Sequence, residues 1–225
     1  FRNYEHYLPT FNSSSIQTLI WRIEGLSDRF VYFNDDVILI REHLEEDWFI
    51  GGRPVLMGKW LFPPYRRIFG TRLKEAINRL PGNKRKFVPK ISFYIRQWKS
   101  GSVLGFTRRY FFHDHTPHPL SKKTLSEFFE SNQDLLENII SYRFRDPEQL
   151  LTPSLAYHLE LLKGNRNLRK VRIGYFHPWY REKTLDRRMA KCTSDSRYKS
   201  VCIQNIEMLS HSQREKIFRW LDPIV

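Results

Sequence analysis

The stretch Phe30-Val31-Tyr32-Phe33-Asn34-Asp35-Asp36-Val37-Ile38-Leu39-Ile40 decides the fold of this chain. Four apolar residues lead into Asn-Asp-Asp and four more follow. Aromatic and β-branched residues dominate both sides, which predicts a buried strand. Ionised carboxylates in a buried strand are costly unless a divalent metal, an arginine or the edge of a cleft compensates them. We therefore interpret Asp35 and Asp36 as functional residues.

The predicted position of these carboxylates suits ligand binding. In α/β sheets, ligands bind at the carboxyl ends of strands, and Asp35 and Asp36 follow the strand Phe30–Phe33. If the backbone stays extended, the two side chains face opposite ways, so that one holds a metal while the other positions the substrate. The alternative is a solvated Asn-Asp-Asp turn in a hairpin.

The composition describes a folded and strongly basic chain. Of its 225 residues, 40% are hydrophobic and 15% aromatic, which argues against wholesale disorder. The formal net charge of +14 favours a polyanionic partner: nucleic acid, anionic lipid, a phosphate-rich polymer or a nucleotide. The two cysteines, Cys192 and Cys202, are too few for a disulfide framework, so reduced thiols in a cytoplasmic protein are the simpler interpretation.

The sequence contains no targeting or membrane-spanning segment that we recognise. No apolar run approaches the roughly 18 residues of a membrane span, and no signal peptide is visible at Phe1. Because the chain begins at Phe rather than Met, we expect it to be part of a longer protein. The absence of a targeting signal is therefore weak evidence about where the full-length protein is located.

The segment before the acidic stretch predicts a helix. Asn12-Ser13-Ser14 offers three candidate N-caps. Apolar residues from Ile16 to Ile23 follow at the spacing of an amphipathic helix, and Gly25 ends it. A helix, a short turn and a buried strand together indicate one α/β layer.

A second unusual stretch, Lys59 to Arg67, interleaves aromatic rings, prolines and arginines. It could form a stacking surface for bases or sugars, or a loop that packs its rings onto the core. A short apolar helix from Leu73 to Leu80 follows, and Pro81-Gly82-Asn83 stops it. The basic loop from Lys84 to Lys90 could touch a phosphate chain or simply be solvated.

Three histidines, His113, His115 and His118, fall within the stretch Phe111 to Leu120. Two prolines stiffen this loop, and the capping box Thr124-Leu125-Ser126-Glu127 predicts a helix after it. An imidazole there could be a general acid or base, or could bind phosphate. The alternative is a loop whose histidines cap or pack. Zinc is less favoured because neither cysteine is near in sequence.

Asp146 and Pro147 predict another helix start, as N-cap and first helical residue, and Pro153 then marks a kink. Arg145 comes just before this start, beside a position that favours anions. Arg143 could share that role. The alternative is a pair of solvated arginines.

The last third of the chain is less regular. Residues 165–198 are basic and irregular, with a strand predicted at Val171–Phe176. Lys199–Ile203 predicts a last short strand. Ser212 with Glu215 predicts the cap of a final helix.

Several of these stretches, taken in order, resemble the Stealth family of capsular-polysaccharide phosphotransferases. These enzymes are related to the catalytic region of N-acetylglucosamine-1-phosphotransferase. The resemblance covers about half the chain, and order plus spacing make it more specific than any single motif. It rests on Leu8–Ser13, Gly25–Phe30, Tyr32–Asp36, His115–Pro119 and Ser200–Asn205.

The resemblance implies a reaction and a set of residues. Such enzymes transfer sugar-1-phosphate from a nucleotide-activated sugar to a hydroxyl of an acceptor glycan, and a nucleoside monophosphate leaves. Mg²⁺ or Mn²⁺ is the implied cofactor. By resemblance, the metal ligands are Asp35 and Asp36, the catalytic residues Asp36, His115, His118 and Arg145, and the substrate-binding residues Asn34 and Arg143.

The resemblance also implies a fold and partners. We expect an α/β fold with a Rossmann-like nucleotide-sugar transferase core and helical additions, in one catalytic domain of segments 1–105, 106–163 and 164–225. The family's first conserved region would precede Phe1, so the N-terminal part of the fold is expected to be missing. The expected partners are a nucleotide-sugar donor and an anionic glycan acceptor, with no specific nucleic acid. The expected location is the cytoplasm, with peripheral association to the inner membrane.

One departure and two alternatives remain open. Gln204-Asn205 stands where the family often has Asn-Asp, which puts any metal role of that position in doubt. A metal-dependent glycosyltransferase could use Asn34-Asp35-Asp36 and release a nucleoside diphosphate instead. A basic nucleic-acid-binding domain ranks last, because the chain carries no recognised binding motif.

Overall fold

The computed structural model describes residues 1–78 and 92–224, which form two compact units. The predicted helix stop at Pro81-Gly82-Asn83 and the basic loop from Lys84 to Lys90 lie outside the described residues. Each unit draws on all three of the predicted segments, and the single catalytic domain stays a prediction. The first unit comprises Phe1–Phe30, Lys59–Phe112 and Leu120–Arg166, and the second Val31–Gly58, His113–Pro119 and Asn167–Val225.

The elements are short strands and helices of up to four turns. The strands are β1 (Arg29–Tyr32), β2 (Val37–Leu39), β3 (Phe49–Ile50), β4 (Arg53–Pro54), β5 (Leu56–Met57), β6 (Lys59–Leu61), β7 (Tyr110–Phe112), β8 (His118–Ser121), β9 (Leu168–Arg169), β10 (Ile173–Phe176) and β11 (Ser200–Ile203). The helices are α1 (Ser13–Thr18), α2 (Glu45–Trp48), α3 (Tyr65–Asn78), α4 (Phe93–Ser102), α5 (Lys122–Glu130), α6 (Gln133–Ile140), α7 (Thr152–Leu162), α8 (Glu182–Ser194) and α9 (His211–Leu221). The predicted α/β class is confirmed, and the Rossmann-like core stays a prediction.

The sheet of the second unit places β11 between β10 and β2. β10 and β11 are parallel, and α8 is the crossover that joins them, as in a βαβ unit. β2 runs antiparallel to β11, with Val37 opposite Cys202. The amino end of β2 therefore lies at the same edge as the carboxyl ends of β10 and β11.

Helix α8 corrects a sequence prediction, because residues 165–198 were expected to be irregular apart from one strand. Leu185, Met189 and Cys192 repeat at helical spacing and are buried. The surrounding charged residues obscured that period in the sequence. A side chain at Gly174 would collide with Cys192 Sγ, so glycine at this position lets α8 lie close against β10.

The first unit is mainly helical, and its largely apolar interior also buries several polar side chains. Arg96 of α4 is buried and donates to the carbonyl oxygens of Gln149 (2.9 Å) and Leu150 (3.1 Å), and to Ser14 Oγ (2.7 Å). Burial, with a smaller contribution from Arg145, lowers the pKa of Arg96 to about 10, so it remains charged at neutral pH. These bonds tie α1, α4 and the segment before α7 together.

The helix start predicted at Asp146 and Pro147 is wrong. Asp146 Oδ1 accepts from the N–H of Glu148 (2.7 Å) in a turn, and α7 begins only at Thr152. The intervening segment is not helical, and its Gln149 and Leu150 carbonyls accept from Arg96 instead. Pro153 stands in the first turn of α7, where proline is tolerated, and marks no kink.

Helix α1 is capped as expected but buries a different face. Asn12 Oδ1 accepts from the N–H of Ser14 (3.1 Å), which confirms one of the candidate caps. Ile16, however, is exposed, whereas Ser15 and Thr18 are fully buried. Thr18 Oγ1 lies 2.9 Å from Thr152 Oγ1, so hydroxyl pairing with α7 decides which side of α1 faces inward.

Two other caps lie earlier than predicted. Ser121 rather than Thr124 caps α5, and Ser210 rather than Ser212 caps α9. In each case the sequence offers two hydroxyl residues near the start. Thr124 Oγ1 instead donates to Glu160 Oε1 at 2.5 Å.

Candidate active site

Asn-Asp-Asp forms a turn between β1 and β2. The N–H of Val37 donates to the carbonyl oxygen of Asn34 (3.2 Å). β1 pairs with β8 and β2 with β11, so both the continuous buried strand and the alternative hairpin are wrong. Asp35 is exposed and Asp36 is half-buried, because the backbone turns between the two strands.

The turn lies at the edge of the sheet where α/β proteins bind ligands. The N–H of Ile203, the last residue of β11, donates to the carbonyl oxygen of Asp36 (2.8 Å). Gln204 N–H donates to the carbonyl oxygen of Phe176, the last residue of β10 (3.0 Å). Asp36 therefore lies beside the carboxyl ends of two parallel strands, the kind of position that was expected for it.

Asp36, His115 and Cys202 come together at this edge, with their ligand atoms within 4.8 Å of one another. Asp36 Oδ2 is 3.6 Å from His115 Nδ1 and accepts from the Cys202 thiol at 3.3 Å. Asn34 Nδ2 lies 3.5 Å from the same imidazole nitrogen. The structure thus unites the acidic turn, one histidine of the His stretch, and the last strand.

The surroundings of Asp36 keep it ionised. Burial disfavours the carboxylate, but the hydrogen bond and charge of His115 and the bond from Cys202 outweigh it, so the pKa of Asp36 is lowered. Burial and the adjacent carboxylate raise the pKa of Cys202. Burial, Cys202 and Asp36 likewise raise the pKa of Tyr175. A carboxylate therefore lies next to a neutral thiol and a neutral phenol.

The oxygen atoms of the turn fit a hard cation. Within residues 1–78 and 92–224, Asp36 Oδ1 is buried and accepts no hydrogen bond. Asp35 places a second, exposed carboxylate one residue away. Mg²⁺ and Mn²⁺ take oxygen ligands of this kind. Zinc was less favoured because neither cysteine is near the histidines in sequence, but the fold brings Cys202 close to His115 in space.

His118 differs from His115 in its surroundings. It is buried, stacks on Tyr32 at 6.5 Å between ring centroids, and meets the edge of His113 at 4.4 Å. Burial, then the charges of His113 and His115, lower the pKa of His118 well below its usual value. A neutral imidazole in the interior favours a role in holding the loop over direct contact with substrate.

Arg143 and Arg145 belong to the first unit. Arg145 Nη2 donates to Ser13 Oγ (2.9 Å), and the Arg143 guanidinium lies 5.6 Å from the centroid of the Phe11 ring. Both side chains are exposed. No helix starts at Asp146, so the helix N-terminus argument for Arg145 is wrong, and the substrate role of both arginines stays a prediction.

Sequence reasoning missed Cys202 and Tyr175 as members of the site. They lie opposite each other in β11 and β10. A parallel pairing of these strands, had it been predicted, would have placed them on one face beside Asp36. Asn205, in place of the family's Asp, follows β11 in a left-handed conformation with φ of 49°.

The fold and this site define an α/β protein that gathers a carboxylate, an imidazole and a thiol at the ligand-binding edge of its sheet. Residues 1–54 match the family model described as Stealth protein CR2, conserved region 2. The first 54 residues are therefore similar to conserved region 2 of the Stealth proteins, and the predicted resemblance to that family is confirmed. Asp36 and its turn lie inside the matched region.

The curated relatives are phosphotransferases of polysaccharide synthesis by name. An exopolysaccharide phosphotransferase of Streptomyces coelicolor is 29% identical over 153 residues, 67% of this chain and 23% of the relative. A receptor polysaccharide phosphotransferase of Streptococcus gordonii is 31% identical over 153 residues, 63% of this chain and 46% of the relative. A capsular polysaccharide phosphotransferase of Streptococcus thermophilus is 47% identical over 53 residues, 24% of this chain and 22% of the relative. The chain thus spans less than half the length of these relatives.

Proposed function

We propose that the protein transfers sugar-1-phosphate from a nucleotide-activated sugar to a hydroxyl of an acceptor glycan in polysaccharide synthesis. The observation that carries this proposal is the pairing of Asp36 with His115 at 3.6 Å, at the ligand-binding edge of the sheet. Asp36 belongs to a region shared with the Stealth proteins, and the named relatives are polysaccharide phosphotransferases. The pairing places a carboxylate beside an imidazole, and in the proposed reaction that imidazole takes a proton from a hydroxyl.

The proposed reaction assigns a role to each group of the site. The acceptor oxygen attacks the phosphorus that bears the sugar, while the bond from that phosphorus to the nucleoside monophosphate breaks. His115 takes the proton of the acceptor hydroxyl. Asp36 Oδ2 orients the imidazole and stabilises the imidazolium that forms. Cys202, as a thiol donor, fixes the rotamer of Asp36.

The proposed cation is Mg²⁺ or Mn²⁺. Asp36 Oδ1 and the Asp35 carboxylate would hold it, and when bound it would neutralise charge on phosphate oxygens. Asn34 Nδ2 lies 3.5 Å from the same Nδ1 atom of His115. Because Nδ1–H faces Asp36 in this mechanism and cannot also accept from the amide, Asn34 is proposed as a substrate contact instead. His118 holds the loop that carries His115, while Arg143 and Arg145 remain proposed phosphate contacts.

A basic cavity in the second unit supports an anionic glycan or nucleotide as partner. Its volume is about 460 Å³. Arg172 precedes β10 and Lys199 precedes β11, and Thr116, the residue after His115, also lines the cavity. Asp47 neutralises part of the charge through Lys199 (2.5 Å) and Arg169 (3.1 Å). Its lining includes Trp48, Arg169, Lys170, Arg172, Arg197 and Lys199.

The identity of the released nucleotide tests this function. We would incubate the full-length protein with Mg²⁺, a panel of nucleotide sugars and a capsule oligosaccharide primer, and analyse the products by mass. The proposal expects a nucleoside monophosphate together with a phosphodiester-linked product. A nucleoside diphosphate would establish glycosyl transfer instead and contradict the proposal.

Peripheral association with a membrane surface is also part of the proposal, because α3 carries exposed apolar and basic side chains together.

A further inference from the structure

Helix α3 of the first unit presents an apolar stripe to solvent. Phe69 is 68% exposed and Leu73 is 51% exposed. Tyr65 and Ile77 continue the stripe at steps of four residues, a spacing that keeps side chains on one side of a helix. Soluble proteins rarely expose several large apolar side chains together, so the exposure of Phe69 and Leu73 indicates a binding surface.

The opposite side of α3 already has neighbours. Ile68, Thr71 and Glu75 are less exposed and line a small cavity together with Ile95 and Trp98 of α4. These contacts fix the rotation of α3 about its axis. Tyr65, at the amino end of the stripe, contacts the edge of the Trp98 ring of α4 (6.2 Å between ring centroids), whereas Phe69 and Leu73 stay exposed.

Basic side chains accompany the stripe. α3 carries four cations, Arg66, Arg67, Arg72 and Lys74, against a single carboxylate, Glu75. Arg66 and Arg72 are exposed beside the stripe, and Arg72 also borders the cavity between α3 and α4. Long basic side chains can keep their charge among lipid head groups while their stems cover apolar surface. This pattern matches the negative surface of an anionic bilayer.

We propose that α3 binds the surface of an anionic membrane, with Phe69 and Leu73 inserted between lipids and Arg66 and Arg72 on head-group phosphates. A helix of 14 residues is about 21 Å long, shorter than the roughly 30 Å hydrocarbon core, so it lies in the plane of the interface. No helix in the described part of the chain is long and apolar enough to cross a membrane.

The charge of α3 disfavours the other occupants of this face. In a symmetric dimer built on the stripe, the cations of the two copies would face each other and repel. A glycan would stack on the aromatic ring of Phe69 but would leave the aliphatic Leu73 uncovered. An anionic bilayer satisfies the apolar and the charged side chains at once.

Vesicle flotation tests this proposal without donor, acceptor or metal. This proposal rests on the membrane part of the proposed function. Vesicle binding and sugar-phosphate transfer are measured in separate experiments, so the failure of one is distinguishable from the failure of the other. We would compare phosphatidylcholine vesicles with vesicles that also contain 30 mol% phosphatidylglycerol, and measure the oligomeric state by light scattering. We expect binding to the anionic vesicles and at least tenfold weaker binding to the neutral ones.

Matched variants separate the stripe from the rest of the surface. Phe69→Ser with Leu73→Ser should lower the partition coefficient at least tenfold. Val103→Ser with Leu162→Ser removes two other exposed apolar side chains of the same unit and should change it less than twofold. The proposal would be overturned if both pairs of substitutions lowered the partition coefficient equally. It would also be overturned if the protein formed a dimer that does not bind vesicles and that only the α3 pair of substitutions dissociates.

Charge reversal and a local probe complete the test. Arg66→Glu with Arg72→Glu should weaken binding at least tenfold, whereas Lys183→Glu with Arg187→Glu on α8 should do so much less. Both native cysteines are buried, so Phe69→Cys accepts a polarity-sensitive dye selectively. Its emission should shift to the blue with anionic vesicles, and that of labelled Val103→Cys should not. An unshifted Phe69 probe on bound protein would contradict insertion.

Discussion

Asp36 and Arg96 are both charged side chains withdrawn from water, yet their partners differ in kind. Arg96 donates to two backbone carbonyls and a serine hydroxyl, none of which titrates near neutral pH. Asp36 contacts an imidazole and a thiol, and its Oδ1 is buried without a hydrogen bond in the described residues. A charge whose partners are backbone groups holds a fold together. A charge with titratable partners and one unsatisfied atom is available for chemistry.

The largest expected effect follows from Asp36→Asn in the full-length enzyme. The amide cannot stabilise an imidazolium at His115 and is a poor cation ligand, so turnover should fall about 10²–10⁴-fold. The melting temperature should stay close to that of the wild type. Asp35→Asn, at the exposed neighbouring residue, should lower turnover less than Asp36→Asn does. A folded Asp36→Asn variant with near-normal turnover would remove Asp36 from the reaction.

Arg96→Met should behave in the opposite way. It leaves the Gln149 and Leu150 carbonyls without their donor in a buried site, and we expect the free energy of unfolding to fall by about 2–4 kcal/mol. Urea denaturation measures this loss. Arg145→Met, at an exposed arginine, should cost less than about 0.5 kcal/mol while lowering turnover. Equal stability of the two variants would show that Arg96 does not organise the interior of its unit.

His158, another buried polar side chain of the first unit, should make the free energy of unfolding depend on pH. Its Nδ1–H donates to the Ser154 carbonyl (2.6 Å), and Nε2 accepts from the N–H of Phe111 (3.0 Å). Burial lowers the pKa of His158 to about 4, so below pH 6.5 the unfolded state binds more protons than the folded state. The free energy of unfolding should therefore fall by about 3 kcal/mol as the pH drops from 6.5 to 4.

Denaturation of His158→Gln across the same pH range is the control. Glutamine can accept the bond from Phe111 but does not titrate. The difference in unfolding free energy between the wild type and the variant should thus narrow as the pH falls. A constant difference would mean that His158 already takes up its proton in the folded state.

The smallest effect concerns Cys202. Its hydrogen bond helps to lower the pKa of Asp36, so Cys202→Ala should raise that pKa and move the acidic limb of the pH–rate profile upward. Turnover at neutral pH should change only a few-fold. Cys202→Ser keeps a donor and should leave the limb in place. If the acidic limb of the pH–rate profile does not move in Cys202→Ala, the thiol does not act on Asp36.

The sequence predicted those parts of the fold whose signals are local. β10, β11 and the Asn12 cap were found because β-branched runs and capping residues act over a few positions. Helix α8 was missed because its apolar period is sparse among charges. The start of α7 was misplaced because Arg96, some 50 residues earlier in the chain, holds the preceding carbonyls. Such long-range bonds leave no local trace.

The same limit applied to the candidate site. Asp36 and His115 stood out because carboxylates amid apolar residues and clustered histidines are conspicuous in any sequence. Cys202 did not, since its place beside Asp36 depends on the order of strands in the sheet. The difference between His115 and His118 depends on burial, which their shared motif does not reveal.

The central claim, that Asp36 and His115 act as one unit, is tested most directly by a double-mutant cycle. We would measure kcat/KM for Asp36→Asn, His115→Ala and the double variant, with folding checked by circular dichroism. If the two side chains act together, the double variant should lose about as much as the worse single variant. Losses that multiply would show that the two residues act independently and would contradict this account.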